Sequence, residues 1–170
     1  EIFQIKPDSS TTETLTAVTG NARRETFQIA VADASKLKPG MRVILTMEST
    51  DAIDEFFAPL KPQPQWTRIF ERGIQVFENH SIASVDGNTV TFVEPIHLDV
   101  NAAHGWKLTK HGMIEEVGVE DICFLGGWNQ PFVHHRSALD DGGWSAMKIQ
   151  DVANGWVRRC VFLNWNVSIY

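Results

Sequence analysis

An internal repeat near the C-terminus constrains this chain more than any other feature. Val119, Ile122 and Phe124 recur as Val157, Cys160 and Phe162, each 38 residues further on, and Leu125 recurs as Leu163. Trp128-Asn129 follows the first copy and Trp165-Asn166 the second. A second apolar frame repeats at another spacing: Met147-Lys-Ile149 returns as Val167-Ser-Ile169, with Met147 and Ile169 standing 22 residues apart. The two periods reconcile if one turn of chain takes 22 residues and the first turn lets out a loop of 16, which is the length of the polar, turn-rich stretch 128–143. Two turns of about 19 residues would fit the longer offset but not the shorter one. Short strands repeating at a fixed period mark a stacked solenoid. Asn154-Gly155, Asn164 and Asn166 fall at its expected corners, where Asn tolerates left-handed backbone and can bond to the next coil.

Upstream, strand patterns alternate with turns. Residues 26–31 (TFQIAV) set Phe27, Ile29 and Val31 on one face, as a half-buried strand requires. Lys38-Pro39-Gly40 supplies a reversal before a second strand over 41–47. Residues 81–85 and 88–93 flank Asp86-Gly87, the strongest hairpin signal in the chain. Between these, residues 51–73 carry Pro59, Pro62 and Pro64, with Glu55-Phe56-Phe57 able to form one short helical turn. Such a segment cannot feed a central sheet, so it reads as a long excursion bearing Trp66. The expected fold is all-β: an N-terminal β-rich module over 1–112, then the first coils of a stack over 113–170.

Composition narrows the function classes. With 43% hydrophobic and 21% charged residues, wholesale disorder is excluded. The net charge of −6, with no segregated basic patch, argues against nucleic acid and anionic membranes as partners. No apolar run approaches the roughly 20 residues that span a bilayer. Cys160 matches Ile122 at the repeat offset and takes an apolar slot, whereas Cys123 matches Val161 and is expected to face the other way. A disulfide between them is open but is not the preferred reading. No C-x-x-C, H-E-x-x-H, P-loop or G-x-S-x-G motif occurs, which leaves zinc-hydrolase, nucleotide-dependent and serine-hydrolase readings without support. Six Trp stand against a single Tyr, and four of the six lie between 128 and 165. Core filling accounts for most such rings; the sharper alternative is a platform that stacks on sugars.

GVEDICFLGG (118–127), GWSAMKIQDVANGWVRRCVFLNWN (143–166) and VSIY (167–170) resemble the first coils of secreted right-handed parallel β-helix proteins of the pectate-lyase-like superfamily. TFQIAVADASKLKPGMRVIL (26–45) and IASVDGNTVTF (82–92) are similar to the small β-module such proteins place before or within their first coils. The resemblance covers about half the chain. It implies an exported carbohydrate-active protein of the bacterial periplasm, cell surface or surroundings. The same architecture serves lyases, hydrolases, phage tailspikes and adhesins, so fold alone does not select among them. The sequence starts at Glu1 and stops at Tyr170 inside a strand-like run, so the expectation is a piece of a longer protein, its leader removed and its remaining coils following.

The loop 128–143 concentrates the candidate chemistry. His134 or His135 could act as a general base, since imidazole titrates near neutral pH. In an extended segment the two point to opposite faces, so they are not expected to chelate one metal together. Arg136 could pair bidentately with a substrate carboxylate or sulfate. Asp140 and Asp141 could hold Ca²⁺, the one cofactor the residues suggest, or supply half of a glycosidase acid pair. A solvated His-His-Arg segment and an ordinary Asp-Asp-Gly-Gly turn are the competing explanations. Trp128 and Trp144, which flank the loop, join Trp66 and Arg158 as candidate substrate contacts. Glu120-Asp121 and Arg158-Arg159 occupy equivalent places in successive coils, so opposite charges should meet in register. The preferred expectation is a polysaccharide lyase acting on an acidic glycan: a His removes the proton α to a uronate carboxylate while a cation stabilises the enolate. A glycoside hydrolase and a non-catalytic glycan-binding or assembly module are the alternatives.

Overall fold

A computed structural model of the chain describes residues 2–8 and 11–170. The chain is all-β and divides into two compact units, one of residues 12–111 and one that joins residues 1–11 to 112–170. The second unit opens with β1 (Phe3–Ile5). The expected module of residues 1–112 therefore loses its first segment to the other unit. The reason is long-range pairing: Phe3 lies opposite Met147 and Ile5 opposite Ile149 in a parallel ladder.

The unit 12–111 holds β2 (Glu13–Ala17), β3 (Gln28–Ala30), β4 (Arg42–Ser49), β5 (Ile74–Asp86), β6 (Thr89–Phe92) and β7 (Lys107–Lys110). They form one antiparallel sheet in the order β2-β7-β4-β5-β6-β3. Its two edge strands are drawn together by a bridge between Val18 and Val31. The N–H of Thr19 donates to Ala30 and that of Ala32 to Ala17, both at 2.9 Å. The sheet thus curls back on itself and protects edges that would otherwise offer unpaired backbone groups. Trp106, Phe92, Leu45, Met47 and Ile82 fill the inside.

Several local expectations shift within this unit. Ile29 and Val31 are buried as the alternation requires, but Phe27 lies outside β3 and is exposed. Asp86 pairs with Thr89, so the hairpin turn is Gly87-Asn88, one residue later than expected. The excursion after β4 contains the expected short turn, α1 (Ile53–Phe57), and an unforeseen one, α2 (Thr67–Arg72). Gly73 ends α2 with φ of 77°, and a Cβ there would meet the Ser49 carbonyl carbon at 2.1 Å. β5 also carries a reversed pattern: Glu78 and His80 point inward and Phe77 outward. The His80 ring stacks on Phe92 at 4.3 Å, and its Nε2 lies 3.2 Å from Glu78 Oε2. Burial pushes the Glu78 carboxyl up, but the hydrogen bonds from His80 and the His97 backbone N–H prevail and hold it below its ordinary value.

The other unit continues through β8 (Ile114–Glu115), β9 (Gly118–Glu120), β10 (Cys123–Leu125), β11 (Ser145–Ile149), β12 (Val152–Ala153), β13 (Trp156–Arg158), β14 (Val161–Leu163) and β15 (Val167–Ile169). Every pairing among them is parallel. Ile114 faces Val152, Val119 faces Val157 and Phe124 faces Phe162, all at the longer sequence offset. Met147 faces Ile169 at the shorter one. Residues 128–143, between β10 and β11, account for the difference. One turn of chain therefore lies on the next with the loop let out of the first.

The corners stack as well. Glu116 and Asn154 take left-handed backbone at equivalent places, as do Asp121 and Arg159. Asn154 donates its side-chain amide to Glu116, and Arg159 donates to both Asp121 and Glu120. Arg158, directly opposite Glu120, pairs with it at 2.8 Å, so the opposite charges do meet in register. Inside, Val119, Ile5 and Met147 are buried, and Phe124 stacks on Phe162 with centroids 4.9 Å apart and planes 4° from parallel. Cys160 packs against this core, Cys123 faces out, and both are free thiols.

Candidate functional site

The loop 128–143 is pinned at its base. The Trp128 N–H donates to the Asn164 carbonyl at 2.8 Å, and the Asn166 amide donates to the carbonyls of Leu139 and Asp140. Inside the loop Asp140 is fully buried and collects four donors. Arg136 approaches it with two nitrogens, at 3.0 and 2.7 Å, the Ser137 hydroxyl at 2.8 Å and the Val133 N–H at 3.1 Å. The Arg136 guanidinium also donates to the Pro131 carbonyl. A bidentate pair of this kind fixes geometry as well as charge. Arg136, expected to meet a substrate anion, is thus committed to Asp140. Asp140, expected as a Ca²⁺ ligand beside Asp141, has its oxygens occupied by donors.

The clamp has a pH signature. The Arg136 guanidinium first, then the Ser137 hydroxyl and Val133 N–H, hold the Asp140 carboxyl down at about 2 against burial, from an ordinary 3.8. A depressed folded value stabilises the loop at every pH above the ordinary value and ceases to do so as pH falls through the folded one. Amide exchange at Val133 is expected to stay slow from neutral pH to about 4 and to accelerate toward pH 2 after allowance for intrinsic rates. Asp140→Asn should remove that acid step, because no carboxylate is left to protonate.

At the loop's tip the expected opposition of His134 and His135 fails. His135 has φ of 62°, which breaks the two-residue alternation, and the two rings stack with centroids 3.7 Å apart. Asp141 holds the arrangement: its Oδ1 accepts the His135 N–H at 2.9 Å and its Oδ2 lies 3.3 Å from His135 Nδ1. These bonds, the backbone one foremost, keep the Asp141 carboxyl below its ordinary value. Asp140 and Asp141, adjacent in sequence, therefore face opposite ways, one into the loop and one toward the imidazoles.

Beside the loop's base an apolar cleft of about 300 Å³ opens between Trp144 and Trp165, lined further by Ile2, Leu125, Gly126 and Gly127. Ile2 precedes β1, Leu125 ends β10, Trp144 precedes β11 and Trp165 precedes β15, so three successive levels of the stack contribute. Trp165 is fixed by donating its indole N–H to the Phe124 carbonyl at 3.0 Å. Its ring lies over Gly126, where a Cβ would come within 2.7 Å of it and 2.4 Å of the Asn164 carbonyl oxygen. Trp144 is 36% exposed and presents the freer ring.

Of the expected substrate contacts, Trp144 lines this cleft and Trp128 does not. Arg158 is paired with Glu120 but half exposed on the flank of the stack. Trp66 belongs to the unit 12–111, where its ring lies 6.2 Å from that of Phe57. Trp165 was missed. The signal for it was a bulky ring entering one copy of the repeat where the other has Gly127 at the equivalent place.

No protein-family model matches the chain, and no curated protein sequence matches it. Solved structures do. The tailspike protein gp49 from Pseudomonas phage LKA1 superposes with a TM-score of 0.53 and 12% identity, over 89% of this chain and 29% of that one. Two others reach lower scores: the gp54 tailspike of Acinetobacter baumannii bacteriophage AP22 in complex with A. baumannii capsular saccharide (0.46, 15% identity, 90% of this chain and 24% of that one) and the Pseudomonas phage phi297 tailspike gp61 (0.47, 13%, 90% and 31%). This chain thus spans about a quarter to a third of those proteins' length. The likeness to gp49 is one of fold.

Proposed function

We propose that this chain is part of a right-handed parallel β-helix protein of the pectate-lyase-like and tailspike kind, exposed outside the bacterial cell, and that it binds a polysaccharide along the Trp144–Trp165 cleft. The observation that carries this reading is the composition of the cleft: two indole rings and a glycine floor supplied by three levels of a parallel stack. Aromatic faces suit the apolar faces of sugar rings, and a groove that crosses successive levels suits a chain of them. The fold likeness to a tailspike supports the architecture.

Elimination chemistry is the narrower reading, and it draws on the exposed imidazoles of His134 and His135 as bases. Its second requirement is a cation at the developing enolate. With Arg136 committed to Asp140, binding is the reading the geometry supports better. Calorimetric titration of the 170-residue chain with capsular and uronate polysaccharides tests it. Trp144→Ala should weaken binding about tenfold or more, as loss of a central aromatic anchor does, and Trp66→Ala should leave it unchanged. Equal affinity of the wild type and Trp144→Ala, or no binding to any polymer, would contradict the proposal. Appearance of an unsaturated product in the near ultraviolet during the same titration would favour the lyase.

A further inference from the structure

The outer tip of the loop carries a cluster that glycan binding at the cleft does not use. The geometry points to a site for a divalent transition-metal ion formed by His134, His135 and Asp141. One donor atom from each of the three lies within 4.8 Å of the other two. Asp141 Oδ2 is 3.3 Å from His135 Nδ1, and Asp141 Oδ1 is 4.0 Å from His134 Nε2. A four-coordinate ion with bonds of about 2.0–2.2 Å holds its donors roughly 3.3–3.6 Å apart. One carboxylate–imidazole pair already has that spacing. The other reaches it if the His134 ring, whose side chain is 68% exposed, turns out of its stack on His135.

The donor set selects the ion. Two imidazole nitrogens and one carboxylate suit Zn²⁺, Ni²⁺, Co²⁺ and Cu²⁺, whereas Ca²⁺ and Mg²⁺ require oxygen ligands throughout. This replaces the Ca²⁺ suggested by the Asp140-Asp141 pair, since Asp140 has its oxygens occupied by the Arg136 clamp. The same clamp sets the base of the site: Arg136 and Asp140 lie between His135 and Asp141 in sequence and hold that segment closed, so the triad does not have to be assembled from an open loop. Three protein ligands at a solvent-facing tip leave at least one coordination position for water or an incoming oxygen ligand.

The inference stands apart from the glycan reading, and its test does not involve a polysaccharide. Chelator-treated 170-residue chain is titrated with Zn²⁺ by calorimetry, with Co²⁺ by visible absorbance, and with Ca²⁺ in parallel. The expected result is one Zn²⁺ per chain and a Co²⁺ band of nitrogen and oxygen ligation. His134→Ala, His135→Ala and Asp141→Asn should each weaken Zn²⁺ binding by about tenfold or more. His104→Ala, which removes a histidine paired with Glu55 in the other unit, should retain it. Metal-free melting curves matching the wild type show that each variant folds; a variant that melts early is replaced by the corresponding glutamine. Absence of Zn²⁺ binding, Zn²⁺ affinity equal to the wild type's in all three loop variants, or Ca²⁺ binding that competes with Zn²⁺ would overturn the site.

Discussion

Truncating Met147 to alanine is expected to destabilise the parallel-stranded unit by about 2–5 kcal/mol, the range for removing a buried Met from a core that cannot collapse around the gap. Met147 is 0% exposed at the middle of β11, the central strand of the three-stranded parallel ladder. It stands opposite Phe3 on one side and Ile169 on the other. It shares this core with buried Ile5 and Val119 and with partly buried side chains such as Phe124 and Phe162, whose strands are held in a hydrogen-bonded ladder, so truncation leaves a gap. Amide exchange reads the effect locally: the N–H groups of Tyr170 and Ile149, which bond between β11 and β15, should exchange faster. Amides of the unit 12–111 should not change. Met147→Leu, which conserves volume, should cost less than about 1.5 kcal/mol.

Gly126→Ala is the second large effect, and its cause is crowding where the Met147 change leaves a void. A Cβ at Gly126 would meet the backbone oxygen of Asn164 at 2.4 Å and the Trp165 ring at 2.7 Å. Displacing a side-chain tip is cheap, but the nearest atom here is main chain. Either the parallel pairing of β10 with β14 opens or the Trp165 ring leaves its place over the glycine. Overpacking of this sort typically costs about 1–3 kcal/mol. Because Trp165 also walls the cleft, the substitution should reduce polysaccharide affinity along with melting temperature. Gly127→Ala, where the nearest atom would be Trp144 at an ordinary 3.6 Å, should leave the melting temperature near wild type.

Much of the stacked unit was legible in the sequence because stacking repeats its own constraints. Each turn must offer apolar side chains to the same slots, so Val119, Ile122 and Phe124 could be matched to Val157, Cys160 and Phe162 without coordinates. The two offsets then fixed which residues had been let out as a loop. The charge ladder of Glu120 with Arg158 followed from the same register. β1 was not legible: three residues carry too little pattern to name a partner in a distant segment. The sequence order of β5 also misleads, since Glu78 and His80 occupy inward positions that hydrophobicity assigns to neighbours such as Phe77.

The loop was located correctly but its interior was not. Alternation predicts opposed rings for His134 and His135, and a single residue of left-handed backbone at His135 cancels it. Nothing in the local composition signals that conformation, because its support is the Asp141 carboxylate six residues on. Likewise Asp140 and Asp141 are alike in sequence, and only the packing of Arg136 decides which one turns inward.

Register is the claim from which the cleft, the loop and its tip all follow, and a cross-link measures it directly. Cys123 lies opposite Val161 in the parallel pairing of β10 with β14. Neighbouring strands run about 4.7–4.9 Å apart, within the roughly 4.4–6.8 Å between Cα atoms that a disulfide spans. In a Cys160→Ala background, the Val161→Cys protein should form an intramolecular Cys123 disulfide on mild oxidation, and the Leu163→Cys protein, two residues along the same face, should remain reduced. Cross-linking at 163 without cross-linking at 161 would contradict the stacked register.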